Sequence, residues 1–276
     1  MLEPNIIKDE ELEQLIRDIY ELYGYDFSLY SRASFKRRIN RICMIDRFTS
    51  FAELRYKIIN EPDYLKHFLE EITVNVTEMF RDPSFFKCLR DDILPQLGTY
   101  PLIRVWVAGC STGEEAYSVA ILLKEANLYH KSLIYATDIN PAVLETARAG
   151  VFPLQQMKLY SENYRLSGGR HDFSDYYTAN YDSARLDKSL REKMILSTHN
   201  LVSDSSFNSF QLIICRNVLI YFDKELQDRV FNLFDNSLEN LGYLALGSKE
   251  TLRFSGLERF YQRIDDQKIW KKVISN

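Results

Sequence analysis

The chemistry-bearing residues cluster in a few short segments. The first is Val105–Glu115, VWVAGCSTGEE, in which an apolar run meets two glycines, Gly109 and Gly113, and then two acids. A glycine at such a turn lets the backbone bend sharply and approach a ligand. Asp138 ends the next apolar run, where a carboxylate can accept hydrogen bonds from both hydroxyls of a ribose. A nicotinamide cofactor calls for GxGxxG and a helix N-terminus open to pyrophosphate. The spacing here is GxxxG, and Glu114 and Glu115 would repel phosphate. No GKS or GKT follows, so a Walker loop fails as well. The two acids suit a cofactor with an amine and a sulfonium centre, which favours S-adenosylmethionine.

Two further segments point to the same edge. His199–Asn200–Leu201 and Cys215–Arg216–Asn217–Val218–Leu219–Ile220–Tyr221–Phe222 both follow apolar runs. Asn200 and Asn217 also suit ordinary turns and caps, and His199 reads as a turn residue. Arg216 and Tyr221 are less easily assigned to turn chemistry. Upstream lies Asn75-Val-Thr77-Glu-Met-Phe80-Arg81-Asp82-Pro83, whose Thr77 and Asp82 can cap helices and whose Arg81 is either a surface cation or a group presented to the cofactor rim.

These segments need elements to position them. From residue 102 strands and helices alternate: strands over Leu102–Ala108, Leu133–Thr137, Lys193–Ser197, Phe210–Cys215 and Tyr243–Gly247, and helices over Glu114–Asn127, Pro141–Ala149 and Lys224–Leu238. A hairpin of Phe260–Ile264 and Lys268–Val273 closes the chain. Such alternation predicts a doubly wound α/β sheet with its ligand at the carboxyl ends of the strands. Residues 151–192 break the rhythm; they are polar and tyrosine-rich and read as an excursion with short strands. The first 75 residues predict four helices: Glu11–Leu22 ended by Gly24, Ser31 to about Met44, one capped by Ser50, and Tyr64–Ile72 behind Pro62.

Composition bounds the rest. The chain has 276 residues, 46% apolar and 27% charged, with a formal net charge of -4. That balance excludes a disordered or low-complexity chain. No run reaches the roughly 18 apolar residues of a membrane span. The acidic start does not read as a signal peptide. Four scattered cysteines and four scattered histidines support neither a disulfide framework nor a metal site, so a reduced, cytoplasmic protein is expected. Residues 1–30 hold eight acids and two bases, whereas 31–50 hold Arg32, Lys36, Arg37, Arg38, Arg41 and Arg47 against Asp46 alone. This basic stretch is either a solvated face balanced by the acidic first helix or a patch for an acidic partner. No nucleic-acid motif accompanies it.

Taken together, the segments Asn75–Arg81, Ala108–Ser118, Ala136–Ile139 and Cys215–Phe222, in that order, resemble the chemotaxis receptor methyltransferases of the CheR family. Ala116 stands where members commonly have proline, and Met79 where they often have phenylalanine; neither change removes a functional group. The resemblance implies an N-terminal helical domain (1–75), a linker contributing to the active site (76–95) and a class I, Rossmann-like methyltransferase domain (96–276) with an inserted β-subdomain (151–192). It implies methyl transfer from S-adenosylmethionine to glutamate side chains on the cytoplasmic domain of methyl-accepting chemotaxis receptors, with S-adenosylhomocysteine as product and the enzyme acting as a monomer without nucleic acid. Asn75, Thr77, Arg81, Gly109, Glu114, Asp138, Asn200, Leu201, Arg216 and Asn217 would then line the cofactor site. Arg81 and Tyr221 would stand nearest the reaction, and Arg32, Lys36, Arg37, Arg38 and Arg41 would dock the receptor. Rival readings are a methyltransferase of small molecules, nucleic acid or other proteins, and a non-catalytic S-adenosylmethionine-binding module. The Asn/Asp-Pro-Pro-aromatic motif of amino-directed nucleic-acid enzymes is missing at Arg216–Leu219. The insert also lacks the long glycine-flanked turn of members that grip a receptor tether.

Overall fold

A computed structural model describes residues 7–73 and 76–273. The chain divides into two compact units, one formed by Met1–Asn75 with Ile220–Val230, the other by Val76–Leu219 with Phe231–Asn276.

The first unit contains α1 (Asp9–Tyr23), α2 (Arg32–Ile45), α3 (Phe51–Asn60) and α4 (Pro62–Ile72). Leu12, Leu15, Ile16 and Ile19 repeat at helical spacing along α1 and meet Phe35, Ile39 and Ile42 of α2 and Leu54 and Ile58 of α3 in one core. Gly24 ends α1 at φ 76°, its N–H returning to the Tyr20 carbonyl. Ser50 accepts from Glu53 N and caps α3. The Ile220–Val230 segment joins these helices through backbone bonds from Ser31 N to Tyr221 O (2.9 Å) and from Asp223 N to Leu29 O (3.0 Å). Nothing in the sequence marks that return.

The second unit opens with α5 (Pro83–Cys88), which continues through a π-turn at Leu89–Ile93 into α6 (Leu94–Leu97). The sheet strands are β1 (Ile103–Ala108) and β2 (Ser132–Asp138), with α7 (Glu114–Glu125) between them and α8 (Pro141–Ala149) after them. The insert follows: β3 (Val151–Pro153), α9 (Met157–Leu166), β4 (Tyr177–Asn180) and β5 (Ser183–Leu186), whose strands form an antiparallel sheet in the order β3-β5-β4. Then come β6 (Met194–Thr198), β7 (Phe210–Cys215), α10 (Lys224–Ser237), β8 (Leu238–Leu246), β9 (Tyr261–Asp265) and β10 (Ile269–Lys272). The main sheet runs β6-β2-β1-β7-β8-β10-β9, with the first five strands parallel. Strand order reverses between β1 and β7, the topological switch point at which such sheets bind ligands.

Two expectations are corrected. The insert holds a ten-residue helix, α9, as well as strands. Its buried face is Met157, Tyr160, Asn163 and Tyr164, a helical spacing disguised by polar residue types. The expected strand over Tyr243–Gly247 starts earlier, because β8 begins at Leu238 directly after α10.

Candidate cofactor and active site

The loop after β1 is built against the end of β2. Gly109 N and Cys110 N both donate to the Thr137 carbonyl, at 2.8 and 2.9 Å, with Gly109 at φ 73°. The next residue, Ser111, donates its N–H to Asp138 Oδ2 (2.9 Å), and Asn140 N donates to Oδ1 (3.0 Å). Asp138 is buried, and burial raises its carboxyl above the usual carboxylate range, against the lowering effect of these amides. Each carboxylate oxygen still has acceptor capacity for a hydroxyl. Beside it, Ser111 Oγ and Asn140 Nδ2 are buried with no partner among the described residues. This donor and acceptor set fits a sugar diol.

Gly113 opens α7 at φ 97°, where a Cβ would lie 2.8 Å from Ala147 Cβ, so glycine permits the close approach of α7 to α8. Glu114 follows and is buried. Its Oε2 accepts from Thr112 Oγ1 (2.6 Å) and its Oε1 from Tyr160 Oη (3.4 Å). Burial pushes its carboxyl up to about 7. A buried acid without a cationic partner among the described residues fits the amine end of S-adenosylmethionine. Glu115 is committed elsewhere: its Oε1 accepts from Arg216 at 2.6 Å.

Arg216 is buried and spans three elements. It also donates to Asp82 Oδ2 (2.5 Å) and stacks on Phe85, its Cζ 4.1 Å from the ring centroid. Both terminal nitrogens are thereby occupied, and Arg216 ties the 76–82 segment to α7. Asn217 sits at φ 61°. Its N–H donates to Glu250, a buried acid that the sequence motifs do not single out. Asn200 performs turn chemistry: Oδ1 accepts from Val202 N (2.9 Å) while its own N–H donates to Asp204 Oδ2 (2.8 Å). Leu201 is buried beside it. The His199 ring packs edge-on to Trp106 at 5.2 Å and tilted on Phe207 at 5.1 Å.

The 76–82 segment is held at several points. Phe80 N donates to Ser118 Oγ (2.9 Å), and Asn163 Nδ2 of α9 donates to Met79 O (3.1 Å). Phe80 and Asp82 both lie in the left-handed region, at φ 54° and 57°, a cost that surrounding structure must hold in place. Between them Arg81 is half-buried; it donates to Val76 O (3.2 Å) and forms no ion pair among the described residues. Thr77 is half-buried on the same segment, and Asn75 lies outside the described residues.

In the first unit, the Arg38 guanidinium carbon lies 4.3 Å from the Tyr221 ring centroid, and Arg38 donates to the Ile72 carbonyl. Arg38 is buried, which removes it from the exposed basic face on which the sequence placed it. Arg32 pairs with Glu13 and Lys36 with Asp9, both at 2.6 Å, and Arg41 reaches Glu71 at 3.8 Å. Arg37 is exposed.

This sheet order, with an acid at the start of α7 and another at the end of β2, defines a class I S-adenosylmethionine-dependent methyltransferase. Residues 75–268 match the CheR methyltransferase, SAM binding domain, and residues 10–73 match the CheR methyltransferase, all-alpha domain. The chain is 48% identical over 266 residues to "Putative methyltransferase Cher3" of Pseudomonas putida, covering 96% of this chain and 97% of that one. It is 31% identical over 231 residues to the "Chemotaxis protein methyltransferase" of Listeria monocytogenes (83% and 85% covered). It is 30% identical over 266 residues to the protein of the same name in Salmonella typhimurium (92% and 87% covered). The chain belongs to the CheR methyltransferase family, and it is an S-adenosylmethionine-dependent methyltransferase. No helix among the described residues is long and apolar enough to cross a membrane.

Proposed function

We propose that the protein methylates glutamate side chains on the cytoplasmic domain of methyl-accepting chemotaxis receptors, giving γ-methyl esters and S-adenosylhomocysteine. It acts in the cytoplasm as a monomer. Relatives named chemotaxis protein methyltransferase support the receptor as substrate. The observation that carries the carboxylate is Arg81, a half-buried guanidinium on a firmly held backbone that donates to a carbonyl and meets no acid among the described residues.

When bound, S-adenosylmethionine supplies an electrophilic methyl carbon on a sulfonium. Glu114 would hold its ammonium, Asp138 with Ser111 and Asn140 would hold its ribose, and Asn217, Asn200, Leu201 and Thr77 would complete the rim, with Gly109 allowing close backbone approach. Arg216 supports this rim from behind. A glutamate carboxylate is ionised at neutral pH, with an ordinary pKa near about 4.3, so no general base is required. The substrate carboxylate would be the nucleophile for that methyl group, with the neutral sulfide as the leaving group. Arg81 holds the carboxylate in line through charge-assisted hydrogen bonds. Tyr221 is assigned to the reaction from the family resemblance, and within its own unit its ring faces the Arg38 guanidinium. Arg37 and Arg41 lead the docking face, with Arg32 and Lys36 beside them.

The test is transfer of labelled methyl to a receptor cytoplasmic fragment. Label released by mild base is expected. Base-stable label would indicate N-methylation, and binding without transfer would indicate a sensing module. Arg81→Ala should lose turnover by about a hundredfold or more while cofactor affinity changes little, as for loss of a group that orients the reactant. Isothermal titration showing cofactor affinity lost instead would reassign Arg81.

A further inference from the structure

Glu250 lies three residues beyond Gly247, on the loop after β8, and is 4% exposed. Four backbone N–H groups converge on its carboxylate. Gly247 N (2.6 Å) and Asn217 N (3.0 Å) donate to Oε2, and Val218 N (2.9 Å) and Leu219 N (2.8 Å) donate to Oε1. Three consecutive amides of the turn after β7 therefore share one acid from the neighbouring strand's loop. Without it these N–H groups would need other partners, and a buried amide is rarely left without one.

The same acid sets the shape of the turn. Asn217 is held at φ 61°, a conformation few residues other than glycine adopt readily. Gly247 gives the room: a Cβ there would lie 2.8 Å from Asn217 N and 2.7 Å from Glu250 Oε2. Val218 is pressed onto the β1 loop, with its Cγ2 2.4 Å from where a Gly109 Cβ would be. Contact thus runs from Glu250 through Asn217–Leu219 to Gly109, across the switch point of the sheet.

We infer that Glu250 is a positioning residue for the cofactor site, fixing the Asn217–Leu219 turn so that Asn217 meets the cofactor and Val218 seats the Gly109 loop. This rests on the reading of Asn217 as a cofactor contact. Glu250→Gln keeps the shape but turns an amide NH2 towards N–H donors. Its KM for S-adenosylmethionine and its Kd for S-adenosylhomocysteine should rise about tenfold or more, the scale of a lost charge-assisted hydrogen bond. The KM for a receptor cytoplasmic fragment and the circular dichroism spectrum should not change. A folded variant with wild-type Kd, or two KM values rising together, overturns the inference. Asn217→Ala separates the two readings: wild-type affinity in that variant sinks the assignment of Asn217, whereas affinity lost there but kept in Glu250→Gln sinks that of Glu250. If Glu250→Gln does not fold, hydrogen exchange on the wild-type protein decides. The amides of residues 217–219 should gain protection together on adding S-adenosylhomocysteine, and unchanged exchange there refutes the positioning role.

Discussion

Glu114 shows how one buried acid can be tuned for a cationic ligand. Burial raises its carboxyl from 4.5 to about 7, so the cofactor-free protein is part-protonated near neutrality. A bound ammonium favours the ionised form, so binding expels a proton. Cofactor affinity should therefore be greatest between about pH 7 and the pH at which the ligand's own ammonium deprotonates, and fall towards tenfold per pH unit below about 7. Isothermal titration of S-adenosylhomocysteine across that range checks this, and Glu114→Gln should bind weakly with no such slope. The same burial acts on folding with the opposite benefit. Because the folded carboxyl titrates above the unfolded one, stability of the cofactor-free protein drops as pH rises from 4.5 to about 7, by about 3 kcal/mol. Glu114→Gln should then melt higher than wild type at alkaline pH, which thermal denaturation would show. Glu114 is readable from sequence because it directly follows a glycine loop. Glu250 is not, because its four amide donors come from positions as many as 33 residues away.

At the scale of elements, the site depends on segments forced into costly conformations and held there. Gly113→Ala meets both a left-handed φ and the Ala147 side chain. It should destabilise the protein by about 2 kcal/mol, visible as a lower Tm, and Ala147→Gly should recover only the steric part. Arg216→Ala removes the cation shared by Asp82 and Glu115 and leaves half-buried Glu115 without this partner. A loss of roughly 3 kcal/mol is expected in chemical denaturation, together with reduced turnover as the Arg81 segment loosens. Helices α7 and α8 and strands β1, β2 and β7 are evident from apolar periodicity and glycine or proline punctuation. Helix α9 is obscured because its buried face is mostly tyrosine and asparagine, whose polar atoms find distant partners in the fold at Glu114, Glu125 and the Met79 carbonyl.

For the whole molecule, charge distribution matters more than net charge. The acids of α1 neutralise Arg32 and Lys36, and Arg38 is buried, which leaves Arg37 and Arg41 as the more available cations of α2. Arg37→Ala with Arg41→Ala should raise the KM for a receptor fragment several-fold at low salt, and the difference should shrink as added salt screens exposed charges over about 10 Å. Arg32→Ala with Lys36→Ala should have the smaller effect, since those side chains already have partners. The sequence by itself determined the alternating α/β domain, the helical N-terminal segment, the preference for a cationic cofactor and the family, because periodicity, glycine spacing and adjacent acids are local properties of the chain. Only the tertiary structure decided that Glu114 takes the buried unpaired role while Glu115 holds Arg216, that Arg38 lies against Tyr221, and that Glu250 gathers four amides. Those outcomes depend on which distant segments strand order brings within hydrogen-bonding reach, and on the loss of water that makes each pairing decisive.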